Sequence, residues 1–171
     1  MGILMRDKVI IKQVTIILAF LITLSSPVAA QNFNMGRAAF EAGDYAAAKK
    51  ILMPLANAGN ADAQYNLGLM YEQGAGVTQS WAESAMWQKL AAKQGHVKSQ
   101  YALSIKHITG TGVLMDGVMG YMWANIASAN GYSGAGKIRD GIAKSMTPAA
   151  IEKAQAMARE CVSSGYTKCG Y

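Results

Sequence analysis

The sequence predicts an all-α protein in which helix pairs repeat along the chain and stack on one another. Of the 171 residues only three are prolines and 51% are hydrophobic, a composition that favours helices over strands. The chain also matches itself at an offset of 36 residues, and glycines recur where the helices of each copy should end. With only 15% charged residues, the composition excludes a disordered polymer.

The internal repeat is direct and contains no gap. When residues 61–96 are aligned with residues 97–132, ten positions are identical, where chance gives about two or three. In the first copy these are Gln64, Tyr65, Leu67, Gly74, Gly76, Val77, Met86, Trp87, Ala91 and Gly95. Because one helix pair cannot bury its apolar face alone, the repeat predicts stacked units.

Each unit is predicted to contain two helices. Apolar residues spaced by three and four predict the first helix over residues 62–73, and Gly74 is the glycine that ends it. Ser80 is the N-cap candidate of the second helix. The second copy follows the same order, with its N-cap candidate at Asp116 and its final glycine at Gly131.

Weaker units flank the two copies. Upstream, a helix is predicted to begin at Asp44 and to end at Gly59, which again lies 36 residues before Gly95. Downstream, Thr147 and the following proline open a final helix that is expected to close the stack. The predicted organisation is a signal peptide (1–30), a lead-in helix pair (31–60), two repeats (61–96 and 97–132) and capping helices with a tail (133–171).

The N-terminal segment, residues 1–30, has the pattern of a signal peptide. Three cations near its start precede an apolar run over residues 14–24, and small residues follow at 28–30. The run is shorter than the roughly 20 residues that cross a bilayer. A cleaved signal peptide is therefore expected, with an uncleaved anchor as the alternative. Residues 1–30 hold three cations and one carboxylate, so the remaining chain carries about +4 of the total +6 and is mildly basic.

Both cysteines, Cys161 and Cys169, lie near the C-terminus. In an exported protein an even number of cysteines close together predicts a disulfide. This bond would tie the tail to the last helix. The expected location is the periplasm or the outside of the cell, with no membrane span after cleavage.

The residues of the first copy resemble a known family. The string over residues 63–77, followed by Trp87 and by residues 91–95, closely resembles a Sel1-like repeat, and the helix opening at 43–45 resembles the related tetratricopeptide form. The resemblance covers about residues 34–132. It implies a right-handed α-solenoid whose concave face is lined by the first helix of each pair, and a role as an adaptor for other proteins.

The second copy departs from the family pattern. It has Ser104 in place of the glycine, Lys106 and His107 in place of Met and Tyr, and glycines at Gly117 and Gly120 inside its second helix. Interior glycines weaken a helix by up to about 1 kcal/mol each. They indicate either a looser copy or a close neighbour. Neither repeat contains a cysteine, so the properties of the cysteine-rich Sel1 subfamily do not carry over.

The resemblance also implies which side chains meet a partner. Carried over by position, the candidates on the concave face are Asp62, Tyr65, Leu69, Glu72 and Gln73 in the first repeat and Lys98, Tyr101, Ile105, Ile108 and Thr109 in the second. The two copies differ most in charge at two of these positions. Asp62 corresponds to Lys98, and Glu72 corresponds to Ile108, which points to a surface selected for a ligand.

The sequence carries no motif of an enzyme, a metal site or a cofactor site. It lacks HExxH, GxSxG and a phosphate-binding glycine loop, and its two histidines read as a turn residue, His96, and a packing residue, His107. Export and the modest charge argue against nucleic-acid binding. The expected function is a non-enzymatic scaffold that binds another protein or peptide. The alternative is an accessory protein that binds the cell wall or a polysaccharide, and an enzyme whose site has no motif is the least supported possibility.

Overall fold

The computed structural model describes residues 30–170, so the predicted signal peptide lies outside the described residues except for Ala30. Over this range the chain forms eight helices and no strand, which confirms the all-α prediction. The helices are α1 (30–41), α2 (Tyr45–Asn57), α3 (Ala61–Gln73), α4 (Trp81–Ala92), α5 (Val97–Thr109), α6 (Gly117–Ala129), α7 (Ala135–Ala143) and α8 (Pro148–Ser163).

The helices stack in chain order. Within the repeats α3 packs on α4 and α5 on α6, and between units α2 packs on α3 and α4 on α5. The last two helices, α7 and α8, both pack on α6. One apolar core joins α2, α3 and α4 around Leu52, Leu67 and Met70, and a second joins the second repeat to α8 around Met122 and Trp123. This is the stacked solenoid of helix pairs that the repeat predicts.

Polar side chains start most of the helices. Ser80 and Asp116 accept hydrogen bonds from backbone N–H groups of the first turns of α4 and α6, which confirms both predicted N-caps, and Thr147 caps α8 in the same way. His96 is more than the turn residue that the sequence suggests. Its Nδ1 accepts a hydrogen bond from the backbone N–H of Ser99 at 3.2 Å and caps α5.

Buried glutamines join each repeat to the unit before it. The Nε2 of Gln64 donates to the carbonyl of Ala56 at the end of α2, and its Oε1 accepts from Gln94 at 2.8 Å. The second repeat copies this network 36 residues on. There Gln100 donates to Ala92 and accepts from Asn130, also at 2.8 Å. The identity of Gln64 and Gln100 in the sequence therefore reflects a structural hydrogen-bond bridge.

The glycine loops of the repeats also hold neighbouring units together. Gly76 and Gly112 have left-handed backbones, with φ angles of 69° and 76°. A Cβ atom on Gly76 would collide with Tyr45 at the start of α2, and one on Gly112 would collide with the backbone of Trp81 at the start of α4. Each loop thus rests directly on the second helix of the preceding pair.

The interior glycine Gly120 marks a close neighbour. A Cβ atom there would lie 2.6 Å from the Cγ2 of Ile108 on α5, so the glycine makes room for that side chain. The equivalent residues of the first repeat are Ser84 and Glu72, which form a hydrogen bond. Close packing is therefore the reason for Gly120, whereas Gly117 is the first residue of α6 and has no such neighbour.

The C-terminal tail folds back onto the repeats. A disulfide joins Cys161 on α8 to Cys169, and both residues are buried. Between them Tyr166 packs near Gly95 at the end of the first repeat. Its hydroxyl accepts a hydrogen bond from Asn130 at 3.0 Å. The disulfide loop thereby connects α8 to the ends of both repeats.

Candidate partner-binding groove

The first helices of the two repeats form the walls of an open groove with a cavity of about 610 Å³. We call it the α3–α5 groove. Side chains of α3 and α5 supply most of the lining, and α4 and the segments after α5 and α6 supply the rest. The lining residues are Tyr65, Leu69, Glu72, Trp81, Gln88, Lys98, Tyr101, Ala102, Ile105, Lys106, Thr109, Thr111 and Tyr132.

Each repeat contributes one pair of packed aromatic rings to this groove, at equivalent positions. The Tyr65 ring lies 4.7 Å from the His96 ring, and the Tyr101 ring is stacked on Tyr132 at 4.4 Å between centroids. Both members of the second pair lie 36 residues after those of the first. The residue that follows each repeat's final glycine therefore supports the tyrosine at the start of that repeat's first helix.

A second cavity of about 310 Å³ extends the groove toward α1. It shares Tyr65, Leu69 and Lys98 with the main cavity, and Phe33 and Arg37 of α1 are among its other lining residues. The two cavities are therefore adjacent, and we call the pair, which is lined by residues of α1, α3 and α5, the trough.

An ion pair crosses the interface between the repeats at the base of the groove. The Nζ of Lys106 lies 2.8 Å from the Oε2 of Glu72, which also accepts a hydrogen bond from Ser84 at 3.1 Å. The Lys106 ammonium lies 5.4 Å from the centroid of the Trp81 ring. The Lys106 side chain is only 5% exposed, whereas that of Glu72 is 36% exposed. The lysine is thus held by a carboxylate and an aromatic face rather than by water.

A buried glutamine lies in the same wall. Gln88 on α4 is fully buried, and neither its amide nitrogen nor its oxygen has a hydrogen-bond partner among the described residues. Its side chain packs against Gly68, where a Cβ atom would lie 2.7 Å from the amide nitrogen. At the equivalent position of the second repeat the chain has Ala124, opposite Ser104. The first repeat therefore has a glycine packed against a glutamine at the place where the second repeat has a serine and an alanine.

Burial changes the titration of two groups along the trough. It raises the pKa of the Tyr65 phenol, and Tyr132 and Glu72 raise it further, so this hydroxyl stays protonated at neutral pH. Burial lowers the pKa of His96, although Asp62, whose Oδ1 lies 3.3 Å from its Nε2, acts in the opposite direction. Both groups are therefore neutral hydrogen-bonding residues near pH 7.

The structure places most of the predicted partner-contacting residues around this trough. Seven of them line the main cavity: Tyr65, Leu69, Glu72, Lys98, Tyr101, Ile105 and Thr109. Asp62 lines the second cavity. Gln73 is exposed at the end of α3 and lines neither cavity. Ile108 points away from the groove, because it packs against Gly120 and the second core.

Six groove residues were absent from the sequence prediction, namely Trp81, Gln88, Ala102, Lys106, Thr111 and Tyr132. Trp81, Gln88 and Tyr132 lie outside the first helices, where the family resemblance places the concave face. Lys106 lies on a first helix but is buried. A signal for three of them was present in the aligned repeats, since Trp81, Gln88 and Lys106 differ in polarity or size from their counterparts Gly117, Ala124 and Met70.

The arrangement is suited to binding. Among the described residues no group of three His, Cys, Asp or Glu side chains is placed to hold a metal ion. The groove offers ring faces, hydroxyl and ammonium donors and one carboxylate, which are groups that contact a ligand through many weak interactions. In the region from residue 30 to 170 no helix is both long and apolar enough to cross a membrane.

Comparisons with known proteins identify the repeat. A family model described as the Sel1 repeat matches residues 61–96 and 97–132. Members of this family are typically non-enzymatic scaffolds for protein–protein interaction. Comparison with curated protein sequences gives no significant match.

Two solved structures share the fold. A protective antigen present in uropathogenic Escherichia coli strains, which displays an SLR fold, is 25% identical with a TM-score of 0.75 over 81% of this chain. This chain spans only 31% of that protein. A Sel1 repeat protein from Oxalobacter formigenes is 28% identical with a TM-score of 0.62, over 73% of this chain and 97% of that one. Residues 61–132 of this chain therefore form two Sel1 repeats, within a helical solenoid that is similar to both solved structures.

Proposed function

We propose that this protein is an exported, non-enzymatic scaffold that binds a segment of another protein in the α3–α5 groove. The observation that carries the proposal is the groove itself, in which seven of the side chains that the family resemblance implies for the concave face line one cavity of about 610 Å³. Rows of side chains on stacked first helices are the surface with which solenoid proteins bind extended partners. The five units of the predicted organisation, from the signal peptide to the capping tail, are part of this proposal.

Export is supported by two independent features. The first is the signal-peptide pattern of residues 1–30. The second is the buried disulfide between Cys161 and Cys169, because disulfides persist in the periplasm and outside the cell but are rare in the cytosol. Thiol alkylation of protein from the source cells tests this point. Both cysteines should resist alkylation until a reductant is added, and two freely alkylated cysteines would contradict export to an oxidising compartment.

Photo-crosslinking in the source cell tests the scaffold function. A photoreactive residue at Thr109, which is exposed and lines the groove, should capture a protein partner. The same residue at Glu152, which is exposed on α8, serves as the matched control and should capture none. Failure to recover a protein from Thr109 under several growth conditions would overturn the scaffold proposal.

One observation favours the alternative function, binding to the cell wall or a polysaccharide. The groove presents aromatic rings, including the stacked pair Tyr101 and Tyr132, and aromatic faces pack well on apolar sugar faces. Retention on purified peptidoglycan tests it. Retention that is weakened by Lys98→Glu, together with no protein captured from Thr109, would replace the scaffold by the wall-binding function.

A further inference from the structure

The α3–α5 groove presents hydrogen-bond donors that the protein itself does not use. The phenol groups of Tyr65, Tyr101 and Tyr132 line it, and their hydroxyls have no hydrogen-bond partner within residues 30–170. The Lys98 ammonium lies 5.8 Å from the centroid of the Tyr65 ring and forms no ion pair in that range. One ammonium and three hydroxyl groups therefore face the same trough, and an anionic group is the ligand that such a set of donors binds.

The charge of the groove points to the same chemistry. Glu72 is the one carboxylate among the residues that line the main cavity, and Lys106 and Ser84 already bind its Oε2. The charges of Glu72 and Lys106 offset each other, so the lining of the main cavity carries the remaining positive charge of Lys98. The second cavity adds the carboxylates of Glu41 and Asp62, and Arg37 pairs with Glu41 at 3.4 Å. Because opposite potentials favour association, an acidic side chain of a partner complements the main cavity beside Lys98.

The shape of the groove indicates whether its ligand is a small anion or an extended peptide. The trough is lined by residues of α1, α3 and α5, and its two cavities share the walls formed by Tyr65 and Leu69. Leu69 and Ile105 add apolar surface next to the donors. A small anion would leave this apolar surface uncovered, whereas an extended peptide presents alternating side chains along its whole length.

We propose that the groove binds an extended acidic segment of a partner protein, in which a carboxylate pairs with Lys98 and accepts hydrogen bonds from the groove tyrosines. Apolar side chains of the same segment lie against Leu69 and Ile105. This inference rests on the proposed scaffold function and adds the chemistry of the partner. Lys98 and the tyrosines act as the specificity-determining groups.

Selection from a phage-displayed library of random dodecapeptides tests the inference with the full chain as target. We expect the selected peptides to be enriched in Asp and Glu relative to the starting library. A synthetic peptide of the consensus, followed by fluorescence anisotropy, should bind about tenfold or more weakly to the Lys98→Glu variant. Its affinity should also fall as salt is added, because Lys98 is exposed.

Matched variants distinguish the effect of a charge in the groove from the effect of the protein's overall charge on peptide binding. Lys153→Glu makes the same charge change on the exposed surface of α8 and should leave the affinity within about twofold. The double variant Tyr101→Phe/Tyr132→Phe keeps both rings and removes their hydroxyls, and we expect it to bind about threefold or more weakly. Unchanged affinity in Lys98→Glu would overturn the inference.

The outcomes also distinguish this inference from the proposed function. Selected peptides that are neutral or basic, yet lose affinity when Ile105 is replaced by Glu, would overturn the acidic partner and leave the scaffold function standing. If no peptide is selected and only peptidoglycan binds in a Lys98-dependent manner, both proposals fail and the wall-binding alternative takes their place.

Discussion

Lys106 of the second repeat donates to Glu72 of the first at 2.8 Å, and the two members of this ion pair differ greatly in exposure. The lysine is almost completely buried, whereas the glutamate still reaches solvent. The first repeat has the apolar Met70 at the position of Lys106, and the second has Ile108 at the position of Glu72. The pair therefore occurs at one repeat interface and has no counterpart in the repeated pattern.

This asymmetry predicts unequal costs for the two single substitutions. Glu72→Ala leaves a buried ammonium without a carboxylate and should lower the free energy of unfolding by about 3 kcal/mol. Lys106→Met places at this site the residue that Met70 provides in the first repeat. It should change the free energy by less than about 1 kcal/mol, because Glu72 keeps Ser84 and solvent as partners. Urea unfolding of each variant measures both values.

The double variant is the control for this prediction. Glu72→Ala/Lys106→Met should recover most of the stability that Glu72→Ala loses, since no buried charge remains. Equal losses in the two single variants would show that the burial of Lys106 does not control the energetics of the pair.

Two fully buried glutamines allow a matched test of hydrogen bonding. Gln100 has partners on both its amide atoms, Ala92 and Asn130, whereas Gln88 has none among the described residues. Methionine has nearly the same length and shape but makes no comparable hydrogen bonds. Gln100→Met should lower the free energy of unfolding by about 1–3 kcal/mol, and Gln88→Met should leave it unchanged or raise it.

Thermal and urea unfolding of both variants check this expectation. The equivalent substitution at Gln64, which has the same network in the first repeat, should resemble that at Gln100. A loss at Gln88 as large as that at Gln100 would mean that the Gln88 amide is hydrogen-bonded in solution.

Gly112 should tolerate substitution far less than another glycine with a similar backbone. Its φ angle is 76°, and a Cβ atom would collide with the backbone of Trp81 in the preceding helix pair. Gly131 has a φ angle of 83° with open space around it. Gly131→Ala should cost about 1–2 kcal/mol from the left-handed backbone alone, and Gly112→Ala should cost at least twice as much. Similar losses at both sites would contradict the close approach between the repeats.

The two histidines predict a dependence of stability on pH. Burial lowers the pKa values of His96 and His107 below their usual value of about 6.5, so the folded state binds fewer protons than the unfolded chain at acidic pH. Their contribution to stability is therefore complete above about pH 6.5 and is lost as the pH falls through that value toward the lower pKa values of the folded state.

The repeat itself supplies the substitutions that test this effect. His96→Asn introduces the capping residue of α3, Asn60, and His107→Tyr introduces the residue at position 71 of the first repeat. The chain contains no other histidine, so the double variant should show a flatter stability profile between about pH 5 and 7 in urea unfolding. If the free energy of unfolding of the double variant depends on pH as steeply as that of the unmodified protein, carboxylates rather than histidines cause the loss of stability in acid.

The ends and the order of the helices were predictable from local chemistry. Ser80, Asp116 and Thr147 start helices because their side chains satisfy backbone N–H groups within the next turn, an interaction that needs no distant residue. His96 escaped this reasoning, because a histidine at an N-cap is unusual and only its hydrogen bond to Ser99 reveals the role. The sequence left two explanations for Gly120, a looser repeat or a close neighbour. The close approach of Ile108, a residue on another helix, shows that the second explanation is right.

The sequence by itself determined the helix pairs and the 36-residue repeat, because caps, glycine ends and apolar spacing act within one helical turn or recur at a fixed offset. The tertiary structure alone decided which of the candidate side chains share the groove. It brought Lys106 to Glu72, stacked Tyr132 on Tyr101 and packed the partly buried Ile108 against the second core. These contacts join residues on different helices, and their geometry depends on how successive pairs pack, which no local pattern specifies.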